Sequence, residues 1–237
     1  HLSIRRQRQM CIRDRVFYLA AESGRQTLGG LAIEAGTRVV SAAYPAWQSV
    51  GFSAALAAGS PAVFAGPQTA AGSSPLVTRI QGVTAGGFDL TLQGSEAFTG
   101  PMFAQTVGWI ALAKGIGMTE DGHSLLVFGT AAGDRPSTTD FASAYLQSTS
   151  NQAVDSKFAR RYPKLAQAVG QMNFTQRFSL GTAVLVGDIV STYEGDTATL
   201  RYRSLSQGGV ELFIEEETTR DAEMAHALED VSVFLAD

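Results

Sequence analysis

The sequence has few of the residues on which disulfide frameworks, metal centres and nucleic-acid surfaces depend. Its 237 residues include one Cys and three His, which excludes a disulfide framework and a Cys-based metal site. Charged residues make up only 17%, and the net charge of −4 argues against nucleic acid as a partner, since nucleic-acid binders carry a clustered basic face. No apolar run approaches the ~18 residues of a membrane-spanning helix. We therefore expect no cofactor, no nucleic-acid partner and no membrane insertion.

The motifs of the common enzyme classes are also missing. The chain has no Gly-x-Ser-x-Gly elbow, P-loop, dinucleotide fingerprint or His-Glu-x-x-His segment. His123 and His226 are far apart in sequence, and neither adjoins a Ser or Cys nucleophile motif. Paired carboxylates occur only in a polar, acidic segment, where no apolar surroundings favour a protonated acid for catalysis. The sequence predicts a protein that is not an enzyme and has no catalytic residues.

The first 15 residues differ in composition from the rest of the chain. Five of them are Arg, and residues 9–15, QMCIRDR, resemble the translation of a transposon end used in sequencing-library preparation. The alternative, a basic targeting segment, lacks the apolar region of a secretory signal and the amphipathic rhythm of a transit peptide. We interpret residues 1–15 as a non-native segment, so that Cys11 is not native and the original N-terminus has been replaced.

The remaining chain repeats itself. Residues 50–92 match residues 172–214 without a gap, and residues 28–36 match residues 107–115. The order of these matches predicts that the chain contains the end of one copy of a repeat, followed by two complete copies. The expected divisions are terminal strands of an incomplete repeat at 16–36, a first complete repeat at 37–116, a linker or insertion at 117–166, and a second repeat at 167–237. A degenerate third module is the alternative for 117–166.

Within each copy, apolar residues alternate with polar ones. Phe88, Leu90 and Leu92 share one face of a strand, and the corresponding residues 210–214 repeat the pattern. We predict strands at 48–52, 62–69, 76–83, 87–93, 105–113, 171–175, 183–192, 199–206, 210–214 and 230–236, and a short helix within 156–168. The predicted fold class is all-β, with tandem antiparallel β-sandwich modules and a partial third copy at the N-terminus. Residues 28–33 are expected to pair with the edge of the 37–116 module or to be loosely held.

An ordered set of motifs resembles a known family. The motifs are, in chain order, Trp47–Phe52, Pro61–Phe64, Val77–Ile80, Gly87–Leu90 and Val107–Ala111. This order resembles the H-type lectin domain, the sugar-binding sandwich of snail agglutinins and discoidins. The acidic segment 215–231 is similar to the end of tandem repeats in large bacterial surface proteins. The resemblance implies glycans or cell-surface polysaccharide as partners, a homo-oligomer (a trimer in the family), and an extracellular or cell-surface location.

The resemblance also implies where a ligand is held. In the family, the sugar contacts an Arg on the central strand and a polar stretch, led by a Trp, after the Gly-Phe strand. The Arg corresponds to Arg79 in the first copy and to Arg201 in the second. The polar stretch corresponds to Gln93–Glu96 and to Glu215–Thr218, and neither contains a Trp.

The second copy places charged residues of both signs around Arg201. Arg presents a planar fork of donors suited to hydroxyls or carboxylates. The ligand-binding residues that we expect are Arg201, Arg203, Glu215, Glu217, Glu223, His226 and Arg79. The competing interpretation is a solvated charge ladder across neighbouring strands and, for Arg79, an exposed position or a pair with Asp89. The acidic residues lack the spacing of a calcium-binding loop, so no metal site is expected.

These patterns favour a non-catalytic carbohydrate-binding or adhesion module of an extracellular multidomain protein. Tandem copies suit weak, multivalent binding, because linked sites raise the effective concentration of the second binding event. The alternative is a structural spacer repeat that presents other domains and binds no ligand.

Overall fold

The computed structural model describes residues 18–72, 75–129, 145–148, 169–173, 184–206, 209–217, 220 and 229–236. For residues 145–148, 169–173 and much of 203–216 it describes the backbone alone. All regular secondary structure in these ranges is β-strand, which confirms the all-β class. The segments 1–15 and 156–168, for which a non-native sequence and a helix were predicted, lie outside the described residues.

The first seven strands form two antiparallel sheets. The strands are β1 (Gly24–Leu28), β2 (Leu31–Val40), β3 (Gln48–Gly51), β4 (Ala62–Pro67), β5 (Leu76–Thr84), β6 (Gly87–Gly94) and β7 (Gln105–Leu112). The sheet orders are β1-β2-β7-β4 and β3-β6-β5. We call this unit the first sandwich, because residues of both sheets meet in one apolar core.

The next eight strands have the same arrangement with one addition. They are β8 (Gly115–Met118), β9 (Ser124–Gly129), β10 (Tyr145–Ser148), β11 (Val169–Asn173), β12 (Val184–Ile189), β13 (Ala198–Ser206), β14 (Gly209–Glu216) and β15 (Val231–Ala236). The sheet orders β8-β9-β15-β12 and β11-β14-β13 repeat those of the first sandwich, and β10 extends the second of these sheets next to β11. This unit is the second sandwich.

The N-terminal strands belong to the first of these sheets. β2 pairs with β7 from Ile33 opposite Leu112 to Val40 opposite Gln105, and β1 pairs with β2. The start of β2, which was expected either to pair or to be loosely held, is therefore hydrogen-bonded to β7. The expected division between residues 36 and 37 falls inside β2, where the ladder continues without interruption.

An aromatic cluster fills the core of the first sandwich. The rings of Phe52, Phe88 and Trp109 lie 5.7 to 5.9 Å apart, centroid to centroid. Trp109 packs over Gly36, where a Cβ would lie 2.8 Å from its ring. Gly36 is therefore required for this packing, since a larger residue would displace the indole.

A third core lies between the two sandwiches. Successive residues of β7 face opposite sides of the sheet: Trp109 and Ala111 contact the first core, whereas Ile110 and Leu112 contact the third. The third core consists of Ile33, Ala62, Phe64 and Leu112 from the first sandwich and Leu125, Val127 and Phe234 from the second. The four-stranded sheets of the two sandwiches thus pack against each other through their outer faces.

The second sandwich also covers the edge of β4. An edge strand leaves alternate backbone N–H groups without a ladder partner. The N–H of Val63 donates to Ser232 Oγ at 2.9 Å, and the N–H of Ala65 donates to Asp188 Oδ2 at 2.9 Å. These bonds fix the position of β4 against β12 and β15.

The third core predicts that the two sandwiches stabilise each other. Phe234 is 5% exposed, so Phe234→Ala removes a buried ring, and we expect a loss of about 3–5 kcal/mol in the free energy of unfolding. Hydrogen exchange should become faster in β4 and β7 of the first sandwich as well as in β15. Tyr18→Ala, at an 80% exposed position, is the control and should change neither quantity. Unchanged exchange in β4 and β7 would show that the sandwiches are energetically independent.

Candidate functional site

Arg79 lies at the junction of the two sandwiches. Its neighbour Ile80 points into the first core, so Arg79 points outward from β5. It is nevertheless only 4% exposed, because residues 190–197, the loop between β12 and β13, cover it. Nη1 donates to the carbonyl oxygen of Asp196 at 2.7 Å, and Nη2 donates to that of Glu194 at 2.9 Å. The guanidinium therefore holds the loop of one sandwich on the strand of the other.

Glu229 organises the same loop from within the second sandwich. Its carboxylate accepts hydrogen bonds from the N–H groups of Tyr193, at 3.0 Å, and Glu194, at 3.3 Å, and from the hydroxyl of Ser191. Its Oε1 lies 3.8 Å from Arg79 Nη2, and both side chains are buried. Burial lowers the pKa of Arg79, and the charge of Glu229 opposes that effect. The guanidinium stays charged because the pKa of an Arg is so high in water.

This geometry differs from the alternatives considered for Arg79. The side chain is not exposed, and Asp89, its expected partner, accepts a hydrogen bond from the hydroxyl of Ser49 at 2.6 Å instead. The sequence of the first copy alone could not show this, because the covering loop comes from the second. Since Nη1 and Nη2 are bonded within the chain, a ligand would have to displace the loop to reach them.

The other expected ligand residues that the structure describes lie in two places. Arg201 is exposed on β13 opposite Phe213, and in the same ladder Arg203 lies opposite Glu211 and Glu215 opposite Thr199. Glu217 follows β14 and lies at the junction, where Oε2 accepts the N–H of Glu96 at 3.2 Å and the hydroxyl of Thr197. The side chains of Arg203 and Glu215, and the whole of Glu223 and His226, lie outside the described residues.

A cleft of about 520 Å³ opens beside the buried Arg79. Its lining consists of Ala43, Tyr44, Gln93–Glu96, Phe98–Gly100, Met102, Gly195, Asp196 and Arg220. We call it the junction cleft, because residues of both sandwiches form it. Its volume lies within the range of small-molecule sites.

Hydrogen bonds hold the walls of the junction cleft in place. Gln93 Nε2 donates to the carbonyl oxygen of Gly195 at 2.6 Å, and Gln93 Oε1 accepts from Arg79 at 3.2 Å. The N–H of Tyr44 donates to the carbonyl oxygen of Leu92 at 2.9 Å. Arg79 thus acts beneath the cleft, by fixing both Gln93 and the 194–196 segment.

The lining combines charged hydrogen-bonding groups with aromatic rings. Glu96 and Asp196 supply carboxylates, Arg220 supplies a guanidinium, and Tyr44 and Phe98 supply aromatic rings. Carboxylates accept hydrogen bonds from hydroxyls, Arg donates several, and ring faces contact apolar C–H groups. The arrangement offers hydrogen bonds to a polar ligand and ring faces to its apolar parts.

Sequence reasoning located only part of this site. The resemblance identified Gln93–Glu96, but Tyr44, Phe98, Asp196 and Arg220 were not singled out. The sequence signal for Asp196 was weak, because this residue lies in a Glu-Gly-Asp turn between strands and many loops share that composition. These residues converge only because the two sandwiches dock.

Within the described ranges, no group of three or more His, Cys, Asp or Glu residues is placed to hold a metal ion. In the same ranges, no helix has the length and apolar character needed to span a bilayer.

Comparison with known proteins gives no further assignment. No family model matches the chain, and no curated protein and no solved structure shows significant similarity to it.

The junction predicts that the two equivalent arginines contribute very differently to stability. Arg79→Met leaves the buried Glu229 without its cation, and we expect a loss of about 3–5 kcal/mol in the free energy of unfolding. Arg201→Met is the matched control at an exposed position and should change this free energy by less than about 0.5 kcal/mol. Urea denaturation measures both variants. Equal effects of the two substitutions would contradict the structural role of Arg79.

Proposed function

We propose that this chain is a non-catalytic carbohydrate-binding or adhesion module of an extracellular or cell-surface multidomain protein. The observation that carries the proposal is the junction cleft. The stretch Gln93–Glu96, which corresponds by resemblance to the sugar-contacting stretch of H-type lectin domains, lines a cleft of about 520 Å³ together with aromatic and charged side chains.

The chemistry of the lining supports a glycan ligand. A sugar ring presents hydroxyls at its edge and C–H groups on its faces, so it needs both hydrogen-bonding groups and a flat apolar contact. Glu96, Asp196 and Arg220 offer the first, and Tyr44 and Phe98 offer the second in a site that lacks the Trp of the family. The cleft is open to solvent on one side, which suits the end or branch of a cell-surface polysaccharide.

Weak binding at a single cleft is compatible with adhesion. Open, polar sites bind weakly, and several linked copies raise the overall affinity by effective concentration. A homo-oligomer, such as the trimer of the family, or further repeats in the parent protein would supply those copies.

A structural spacer is the second candidate function, and one observation favours it. The third core and the Arg79 junction fix the two sandwiches in a single relative orientation. A spacer needs fixed geometry in order to hold another domain away from a surface. This candidate requires no ligand at the junction cleft.

Glycan-array binding followed by titration distinguishes the two functions. We expect the chain to bind one or more glycans with a dissociation constant near the millimolar range. Asp196→Asn removes a carboxylate of the cleft, keeps the backbone carbonyl that Arg79 contacts, and should weaken binding about tenfold or more, as expected for a charged hydrogen bond. Asp121→Asn, an exposed substitution of the same type in the turn between β8 and β9, is the control and should have no effect.

Two results would overturn the proposal in different ways. If no glycan is retained at millimolar concentration, the spacer function is favoured. If Arg201→Ala abolishes glycan binding without unfolding the chain and Asp196→Asn does not affect it, the ligand site lies on the β13–β14 ladder and not in the junction cleft.

A further inference from the structure

A second cleft lies on the outer face of the β2-β7-β4 sheet, between that sheet and β12. Its floor contains Gly66, which carries no side chain, and Gly108, which lies opposite Gly66 in the ladder and is covered by the side chain of Gln68. The volume is about 500 Å³. Phe64, Ile110 and Val186 supply apolar walls, and Asp188 stands at one side. We call it the glycine cleft.

The glycine cleft marks a difference between the two sandwiches. Gly66 and Gly108 are paired on β4 and β7, and the equivalent pair on β12 and β15 is Asp188 and Ser232. In the second sandwich these two side chains reach β4 and bond its edge, whereas in the first sandwich the Gly66 position is open and the side chain of Gln68 covers the Gly108 position. A Cβ built on Gly66 would have no heavy atom within 4 Å.

Asp188 brings a negative charge to this cleft without a described cation to balance it. Its oxygens accept hydrogen bonds from the N–H groups of Ala65 and Ile189, both at 2.9 Å, and it forms no salt bridge with any described side chain. Burial raises the pKa of Asp188 to about 7, while the two N–H groups lower it. Each carboxylate oxygen can accept a further hydrogen bond.

No other described charge accounts for Asp188. The strands β4 and β15, which pack against β12, contain no titratable side chain. The strand β13 also packs against β12 and carries Arg201, Tyr202 and Arg203; the side chain of Arg201 is exposed. Arg79 lines an adjoining cleft that Asp188 also borders, but Nη1 and Nη2 bond to the loop carbonyls and Nη2 faces Glu229. Glu22, in the segment that closes the far end of the glycine cleft, is exposed and has the same sign of charge.

We propose that the glycine cleft binds a small molecule carrying a primary ammonium group, with the ammonium against Asp188 and the body of the molecule over Gly66. A cation offsets the cost of holding an ionised carboxylate in a partly buried position, and a charge-assisted hydrogen bond is stronger than a neutral one. An anion would be repelled, and a neutral ligand would gain no charge-assisted hydrogen bond from Asp188. The apolar walls suit the methylene chain of a basic amino acid or one face of an amino sugar. This proposal does not depend on the glycan function of the junction cleft.

Amide chemical shifts, followed during titration of the full chain at pH 7.5, test the proposal. The probes are Nα-acetyl-lysine amide, with Nα-acetyl-norleucine amide as its uncharged counterpart, and glucosamine, with glucose as its counterpart. We expect saturable shifts of the Ala65, Gly66 and Gly108 amides with an amine and none with its counterpart. If the lysine derivative binds more tightly, the ligand is a basic amino acid; if glucosamine binds more tightly, the ligand is an amino sugar. At pH 5.5, where Asp188 is protonated, binding should be about tenfold weaker or more.

Two variants separate ligand binding from the structural role of Asp188. Asp188→Asn keeps an acceptor for the N–H of Ala65 but removes the charge, and it should abolish amine binding. Gly66→Val fills the floor of the cleft, leaves Asp188 in place and should also abolish binding. Asp121→Asn is the exposed control and should bind normally. Saturable binding that persists in Asp188→Asn, or the absence of any amine-specific shift in the wild-type chain, would overturn the proposal.

The pH dependence of stability gives a second readout of the same carboxyl. Because its pKa is raised in the folded state, the folded chain holds a proton that the unfolded chain releases between about pH 4 and pH 7. The Asp188 contribution therefore lowers stability as the pH rises through this range. Asp188→Asn should raise the thermal midpoint at pH 8 and change it little at pH 4. A midpoint difference between Asp188→Asn and the wild-type chain that is the same at pH 4 and pH 8 would show that this carboxyl group does not titrate in the range. Neither result bears on glycan binding at the junction cleft, which Asp196→Asn tests separately.

Discussion

Burial of both faces of the four-stranded sheets is the constraint on which the rest of the structure depends. In β4, β7, β9 and β15, successive residues are apolar and alternate between two different cores. A sheet with two apolar faces cannot remain in water on one side. The two sandwiches must therefore dock, and docking in turn covers the edge of β4, places the 190–197 loop over β5, and opens clefts where the contact is incomplete.

The docking determines whether each of the two equivalent arginines is buried and what it contacts. Arg79 and Arg201 occupy the same position in the two copies, opposite Thr91 and Phe213. Only Arg79 is covered by a loop of the other sandwich, so its fork of donors binds backbone carbonyls, whereas Arg201 stays exposed. A sequence match between repeats therefore does not imply a common role, because each copy has a different neighbour.

The local features of the fold could be predicted from sequence, and its long-range contacts could not. Alternation at Phe88, Leu90 and Leu92 predicts β6 to within one residue, and the internal match predicts its counterpart β14. The third core was missed because Phe64 and Ile110 were taken as part of ordinary one-sided strands, although their apolar neighbours already indicate burial on both faces. Glu229 and Asp188 were missed as site residues because their partners, Arg79 and Ala65, lie more than 100 residues away in sequence.

Differences between the copies decide where clefts open at the contact between the sandwiches. If the two docked faces were identical, side chains would either fill both sides of the contact or leave both sides open. Here Asp188 and Ser232 fill one side, while on the other side Gly66 is open and Gln68 covers Gly108, so the contact between the sandwiches is asymmetric. The junction cleft is asymmetric as well, since it takes Gln93–Glu96 from one copy and Asp196 with Arg220 from the other. Under the proposed function, the unit that binds one glycan is therefore the docked pair of sandwiches. Avidity then grows with the number of pairs in an assembly, and one repeat by itself would not form the site.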